Sequence, residues 1–271
     1  MNILQEIAER AKERIEAQKK IVPLEQLMET VRSGKIADDF PFEKALRPKA
    51  PRSGDIAFIC EVKKASPSKG VIAEDFPYLD IAKAYEAAGA AAISVLTEPY
   101  YFKGDDRYLR EIADTVAIPL LRKDFTVDPY MIYEAKVLGA SAVLLICAIL
   151  DKDTLAEYIG IAHSLGLSAL VETHSEEEVE TALAAGARIV GVNNRDLKTF
   201  EVDISLSERL RTLVPKDRLF VSESGIRSPE DIARLRGMGA DAVLIGESLM
   251  KSADPKAELR RLRGASDAID N

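Results

Sequence analysis

The stretch Val137-Leu138-Gly139-Ala140-Ser141-Ala142-Val143-Leu144-Leu145-Ile146-Cys147-Ala148 sets a helix stop directly against an apolar run too short to be a second helix. Upstream, DPYMIYEAKVLG repeats its apolar residues at three- and four-residue spacing, and the glycine suits a chain leaving a helix through a left-handed turn. Downstream, AVLLICA is apolar on both faces, as a strand of a parallel sheet must be when helices cover both its sides. The same Gly-Ala pair precedes a strand-like run at Gly89-Ala90, Gly186-Ala187 and Gly239-Ala240. One unit, helix then turn then strand, recurs along the chain.

Working outward, eight such runs are found: FICEV, AAISVLTE, PLLRKDF, AVLLICA, LSALVETH, RIVGVNN, LFVSES and AVLIGES. Segments with helical periodicity separate them, among them DIAKAYEAAG, KDTLAEYIGIAHSLG and SPEDIARLRGMG. Strict alternation of this kind implies a parallel sheet wrapped by helices. Eight units fit a closed (β/α)8 TIM barrel better than a doubly wound sheet, and no Gly-x-Gly-x-x-Gly follows the first strand. Residues 1–50 stand outside the rhythm. They are expected to form an N-terminal helical extension of one or two amphipathic helices, running into a loop, DDFPFEKALRPKAPRSGD. This extension packs on the barrel of residues 51–271 as part of one domain.

Lys+Arg number 37 against Asp+Glu 45, so the net charge of -8 offers no continuous basic face for nucleic acid. The opening MNILQEIAERAKERIEAQKK carries charges on every turn, and no run approaches the roughly 20 apolar residues of a membrane span. A cytoplasmic protein without a membrane partner is expected. Cys60 and Cys147 sit in strand-like runs and read as small buried hydrophobes. With only His163, read as a surface residue of a helix, and His174, read as orienting a loop, no metal site is expected.

In such a barrel, chemistry belongs at the carboxyl ends of the strands. Polar residues interrupt the apolar runs there. Glu61 and Lys63 share a face of the first strand by their i, i+2 spacing; Lys123 ends the third and Glu172 the fifth. Asn193 and Arg195 end the sixth, and Glu223 and Ser224 the seventh. Singly, each reads equally as a solvated rim charge or half of an ion pair. Together around one mouth they can tune one another, with burial bringing a lysine down toward neutrality. The loops after strands seven and eight recurrently bind phosphate in this fold. Gly225 in SESGIRSPEDI and Gly246 in AVLIGESLM occupy them, and Ser66 can add a hydroxyl.

The ordered set EVKKASPSKG, LRKDF, VETH, VNNRDL, SESGI and IGESLM, between about Phe42 and Met250, resembles the indole-3-glycerol-phosphate synthase family of tryptophan biosynthesis. The resemblance implies closure of an indole ring on 1-(2-carboxyphenylamino)-1-deoxyribulose 5-phosphate with loss of CO2 and water, without a cofactor. It implies Lys123 as general acid, Glu172 as base in dehydration, Lys63 steering the carboxylate or donating a proton, and Glu61 holding the lysines. Asn193 would position substrate hydroxyls or the anthranilate nitrogen, and Glu223 would be a further active-site carboxylate. Ser66, Ser224, Gly225 and Gly246 would bind phosphate. Phe102, Phe125, Leu144, Ile146, Arg195 and Leu197 would form the anthranilate pocket. The partner implied is this small phosphosugar-anthranilate substrate, and a monomer is compatible with the motifs. Glu247 departs from the serine that many members carry, so phosphate contact is assigned to the Gly246 backbone. The Ser-Pro-Ser-Lys-Gly loop is expected to fold over the site as a mobile flap.

The residues alone leave three other readings to compare. A phosphosugar isomerase needs one acid and one base, fewer groups than this mouth holds. A Schiff-base aldolase would form an imine that borohydride traps. A non-catalytic barrel binding a phosphorylated metabolite would leave the acid and base candidates at four strand ends without a use.

Overall fold

The computed structural model describes residues 3–34, 39–47, 56–196 and 199–264. Eight parallel strands close into a barrel in chain order: β1 (Ala57–Val62), β2 (Ala92–Leu96), β3 (Leu120–Lys123), β4 (Ala142–Ile146), β5 (Ser168–Thr173), β6 (Ile189–Asn193), β7 (Leu219–Glu223) and β8 (Ala242–Ile245). β8 closes on β1 through the pairs Ala57 with Ala242 to Cys60 with Ile245. The fold is the (β/α)8 TIM barrel expected from the alternation.

Among the described residues three helices precede the barrel: α1 (Ile3–Ile21), α2 (Leu24–Ser33) and α3 (Pro41–Leu46). After strands β1 to β7, in turn, come α4 (Tyr78–Ala87), α5 (Asp106–Ala113), α6 (Pro129–Val137), α7 (Lys152–Ser164), α8 (Glu176–Ala184), α9 (Ser205–Arg211) and α10 (Pro229–Gly237). Two more, α11 (Glu247–Lys251) and α12 (Pro255–Leu262), follow β8. Among the described residues no helix is long and apolar enough to cross a membrane.

Local chemistry explains the repeated unit. At the end of α6, Gly139 takes φ 89, and the Ala140 N–H reaches back to the Ala135 carbonyl at 2.9 Å. That pairing satisfies a helix-end carbonyl and turns the chain back toward the barrel, where Ser141 N donates to Leu120 O at 2.8 Å. The same back-bond is made by Ala90, Ala187 and Ala240. At the other end, Asp105, Asp128, Asp151, Ser175 and Ser228 cap the starts of α5, α6, α7, α8 and α10 by accepting backbone N–H groups.

Alternation along each strand divides the core. Phe58, Cys60 and Val62 of β1 pack outward against the helices, whereas Ile59 joins Leu121, Leu144, Leu170, Ile189, Val221 and Leu244 inside the barrel. The preceding helices touch both ends of this inner core. Phe42 and Leu46 of α3 are fully buried beside Ile59 and Ala92, and Glu43 meets Arg188, just ahead of β6, at 2.9 Å. Leu4 and Ile7 of α1 reach the same cluster, with Arg14 on Asp124 at 2.8 Å and Lys19 on Asp128 at 2.7 Å.

Three expectations need correction. The segment anticipated as a loop contains α3, whose burial of a Phe and a Leu stabilises it by about 1.5–3 kcal/mol per side chain, enough to order so short a helix. His163 is half-buried, not at the surface: its ring meets Phe40 edge-on at 5.7 Å, and burial with nearby Arg188 pushes its pKa down to about 4. Cys147 is half-buried in a 3-10 turn, Cys147–Ile149, because β4 ends at Ile146; only Cys60 is a fully buried strand residue.

Candidate active site

Strand alternation brings one residue from the end of each odd-numbered strand inward: Glu61, Lys123, Glu172 and Glu223. Side chains of alternate strands form layers of four in this fold, and here the layer at the carboxyl end is charged. The registers set Lys123 beside Leu96, Glu172 between Ile146 and Gly191, and Glu223 between Asn193 and Leu244. Lys123 Nζ donates to Glu172 Oε2 at 2.9 Å and to Glu223 Oε2 at 2.8 Å. Lys63 Nζ donates to Glu61 Oε1 at 2.5 Å. Glycine at 191 makes room for this arrangement, because a Cβ there would stand 2.4 Å from Glu223 Oε1.

Electrostatics follow from three carboxylates converging on one lysine. Burial works against the Lys123 ammonium, but Glu172, Glu223 and Glu61 outweigh it and hold its pKa well above the usual lysine value. This corrects the expectation of a lysine brought toward neutrality: burial alone would do that, and the carboxylates reverse the sign. Burial, reinforced by Glu172 and Glu61, pushes Glu223 up to about 7 against the pull of Lys123. For Glu172, burial is overcome by Lys123 and His174, so its carboxyl stays below the usual range. At neutral pH the layer therefore holds a cationic lysine, an ionised Glu172 and a Glu223 near its midpoint, a separation suited to acid-base work.

The layer forms the floor of a cavity of about 410 Å³. Phe102 and Phe125, with ring centroids 6.4 Å apart, and Leu144 and Ile146 make an apolar wall, which Ile3, Leu4 and Ile7 of α1 extend. Phe102 is held in place by Glu98, whose carboxylate accepts the backbone N–H groups of Tyr100, Tyr101 and Phe102. Phe125 N donates to Asp124 Oδ1 at 2.8 Å. No sequence pattern singled out α1, Glu98 or Asp124; their roles depend on contacts distant in the chain or on carboxylates that read as ordinary loop residues.

Ser66, Asn193, Arg195, Ser224, Gly225 and Gly246 also line the cavity. Ser224 and Gly225 are both left-handed, at φ 67 and 82, and the buried Asn194 amide ties this turn by donating to the Glu223 and Ser224 carbonyls. Gly246 packs so closely on the Glu61–Lys63 pair that a Cβ would stand 2.6 Å from Glu61 Oε1. The loop after β1 forms a two-stranded hairpin, Ala65–Ser66 with Gly70–Val71, and its Ser66, Pro67 and Ser68 line the cavity. Glu247 also lines it, bonded to Lys251 at 2.7 Å and facing Arg195 at 3.7 Å. Leu197 lies outside the described residues. Among the described residues no group of three or more His, Cys, Asp or Glu is disposed to hold a metal ion.

The family model for indole-3-glycerol phosphate synthase matches residues 4–262. A curated indole-3-glycerol phosphate synthase from Ruminiclostridium cellulolyticum is 60% identical over 264 residues, covering 97% of this chain and 100% of that one. Its counterpart from Endomicrobium trichonymphae is 59% identical, covering 82% and 84%, and that from Lachnoclostridium phytofermentans 50%, covering 96% and 98%. Among solved structures, a 3-hexulose-6-phosphate synthase superposes with a TM-score of 0.61 at 16% identity, covering 78% of this chain and 99% of that one, a likeness of fold alone. Matched by the family model and by relatives along nearly its whole length, the chain belongs to the indole-3-glycerol phosphate synthase family of carboxy-lyases, which act on a small phosphate-bearing substrate.

Proposed function

We propose that the protein converts 1-(2-carboxyphenylamino)-1-deoxyribulose 5-phosphate into indole-3-glycerol phosphate, CO2 and water by lysine and glutamate acid-base catalysis. The observation that carries this reading is the Lys123 ammonium held between Glu172 and Glu223 at the end of an apolar slot. The ring carbon bearing the carboxylate attacks the ribulose carbonyl carbon. The carbonyl electron pair moves to oxygen, which takes a proton from Lys123 and becomes a hydroxyl. The bond to the carboxylate then breaks, its electrons restore the aromatic ring, and CO2 departs. In the last step Glu172 removes a proton from the carbon beside the nitrogen, the freed pair forms the new indole double bond, and the hydroxyl leaves as water with a second proton. That oxygen is the one Lys123 has just protonated, so Lys123, recharged by Glu223 at 2.8 Å, is the nearest donor.

Other residues bind and orient. Lys63, braced by Glu61, steers the substrate carboxylate, and Asn193, close enough to Glu172 to favour its ionised form, positions the substrate's hydroxyls or nitrogen. The phosphate is assigned to the Ser66 hydroxyl, the Ser224-Gly225 turn and the Gly246 backbone, with backbone N–H groups as donors. Phe102, Phe125, Leu144 and Ile146 flank the anthranilate ring; Arg195 and, on the VNNRDL motif alone, Leu197 are assigned to the same pocket. The test is a fluorescence assay with this substrate and no added metal. Indole fluorescence is the expected result; substrate binding without it would overturn the proposal.

A further inference from the structure

We infer that His174 is a positioning residue for the carboxylate of Glu172, fixed in that task by Glu178; this rests on the reading of Glu172 as the proton acceptor. The geometry is that of a clamp. Ser175 caps α8, accepting from Glu178 N at 3.2 Å, which fixes Glu178 in the first turn. Glu178 Oε2 then accepts the His174 backbone N–H at 2.7 Å and faces the ring at Nδ1, 3.4 Å away. Held from that side, the imidazole presents Nε2 to Glu172 Oε1 at 3.6 Å. This Nε2 is buried and has no hydrogen-bond partner. The other oxygen of Glu172 is bonded to Lys123. Each oxygen of the base therefore faces its own nitrogen.

The second nitrogen matters because the first gives its charge away. Lys123 is neutral between protonating the substrate oxygen and taking a proton from Glu223, and it gives that proton up within the dehydrating step itself, so in both intervals it no longer favours the ionised Glu172 that must accept a proton. A cationic His174 keeps Glu172 ionised. The groups facing the ring are Glu172 on β5, Glu178 on α8 and Glu223 on β7, with Cys147 beside Glu178 and Lys123 beyond Glu172. Burial opposes the imidazolium, but the three carboxylates prevail and hold its pKa above the usual histidine value.

The test compares the wild-type enzyme with His174→Ala, His174→Gln and Glu178→Gln by pH profiles of indole formation and by thermal unfolding. His174→Ala is expected to lower kcat roughly tenfold at neutral pH with KM nearly unchanged. The acidic limb of its kcat profile should move upward, because Glu172 loses a neighbouring cation. His174→Gln, which restores an N–H without a charge, should recover part of kcat yet keep the displaced limb. Glu178→Gln should bring the fall in rate on the alkaline side to lower pH, since the imidazolium loses its partner. A purely structural histidine would change the melting temperature and leave both limbs in place, which overturns the inference. Should His174→Ala not fold, the other two variants decide on the same criteria. Wild-type turnover by Glu172→Gln would sink the reading of Glu172 and the inference with it, whereas a crippled Glu172→Gln beside silent His174 variants sinks the inference alone.

Discussion

Replacing Lys123 by alanine removes a cation shared by two buried carboxylates, and the consequences separate into chemistry and stability. Loss of a general acid costs roughly 10²–10⁴-fold in turnover. The same change leaves Glu172 with only His174 and, among the described residues, Glu223 with no cation in hydrogen-bond reach, and stranding a buried charge costs roughly 3–5 kcal/mol. The structure sets the pH at which that penalty is felt. Glu223 already titrates at about 7 with Lys123 restraining it, so without the lysine its pKa rises further and the carboxyl is largely protonated at neutrality. A group whose folded pKa exceeds its unfolded value contributes stability that is complete below the unfolded pKa and is lost as pH rises through the folded one. Lys123→Ala should therefore lie nearest wild type near pH 6, short of it by the lost pairing with Glu172, and fall progressively further behind above pH 7, by about 2–4 °C for each kcal/mol. Turnover is read from indole fluorescence, and binding from a substrate analogue whose carbonyl is reduced to an alcohol. Turnover within tenfold of wild type, or a loss confined to KM, would refute the role of Lys123. A melting deficit independent of pH would refute the electrostatic account.

Three further outcomes are expected. Wild-type turnover should bend near pH 7 as Glu223 titrates, and Glu223→Gln should lose that inflection; a profile unchanged by the substitution would remove Glu223 from the chemistry. Gly191→Ala drives a Cβ to 2.4 Å from Glu223 Oε1, so the carboxylate must move, with about 1–3 kcal/mol of overpacking strain and a drop of at least roughly tenfold in kcat, measured by melting and steady-state kinetics. Asp254→Ala removes the cap of α12, which accepts from Lys256 N and Ala257 N, and should cost about 1 kcal/mol in denaturant titrations while turnover stays at the wild-type level.

The barrel was legible because its determinants are local. Gly139 and its three counterparts stop helices whatever lies elsewhere in the chain, and an apolar run such as AVLLICA needs no distant partner to declare itself a strand. The charged layer was legible for a related reason: a Glu or Lys breaking such a run is conspicuous, as Glu172 is in LSALVETH. What could not be read depends on distance. The rise in the Lys123 pKa requires carboxylates from β1, β5 and β7 at once, and LRKDF carries no trace of them. Helix α3 is only six residues long, and Phe42 and Leu46 gain their burial from strands that follow it. The apolar wall supplied by Ile3, Leu4 and Ile7 was hidden because α1, read alone, is one more amphipathic helix.

Strand β3 carries two charge systems on opposite faces. Lys123 points into the cavity, while Arg122, 1% exposed, points outward to Glu134 at 2.7 Å, Asp106 at 2.8 Å and the Met131 carbonyl at 3.0 Å. Thr97 joins the outer system to the next residue by accepting from Arg122 Nε and donating to Asp124, which in turn holds Arg14 of α1. For protein engineering this makes Arg122-Lys123-Asp124 the least negotiable triplet in the chain. A library that randomises it would confound lost activity with lost folding, because adjacent residues there serve the cavity and the buried ion pairs outside it. Diversity aimed at new substrates belongs instead on the apolar wall, where Phe102, Leu144 and the first turns of α1 can change size without disturbing a buried charge.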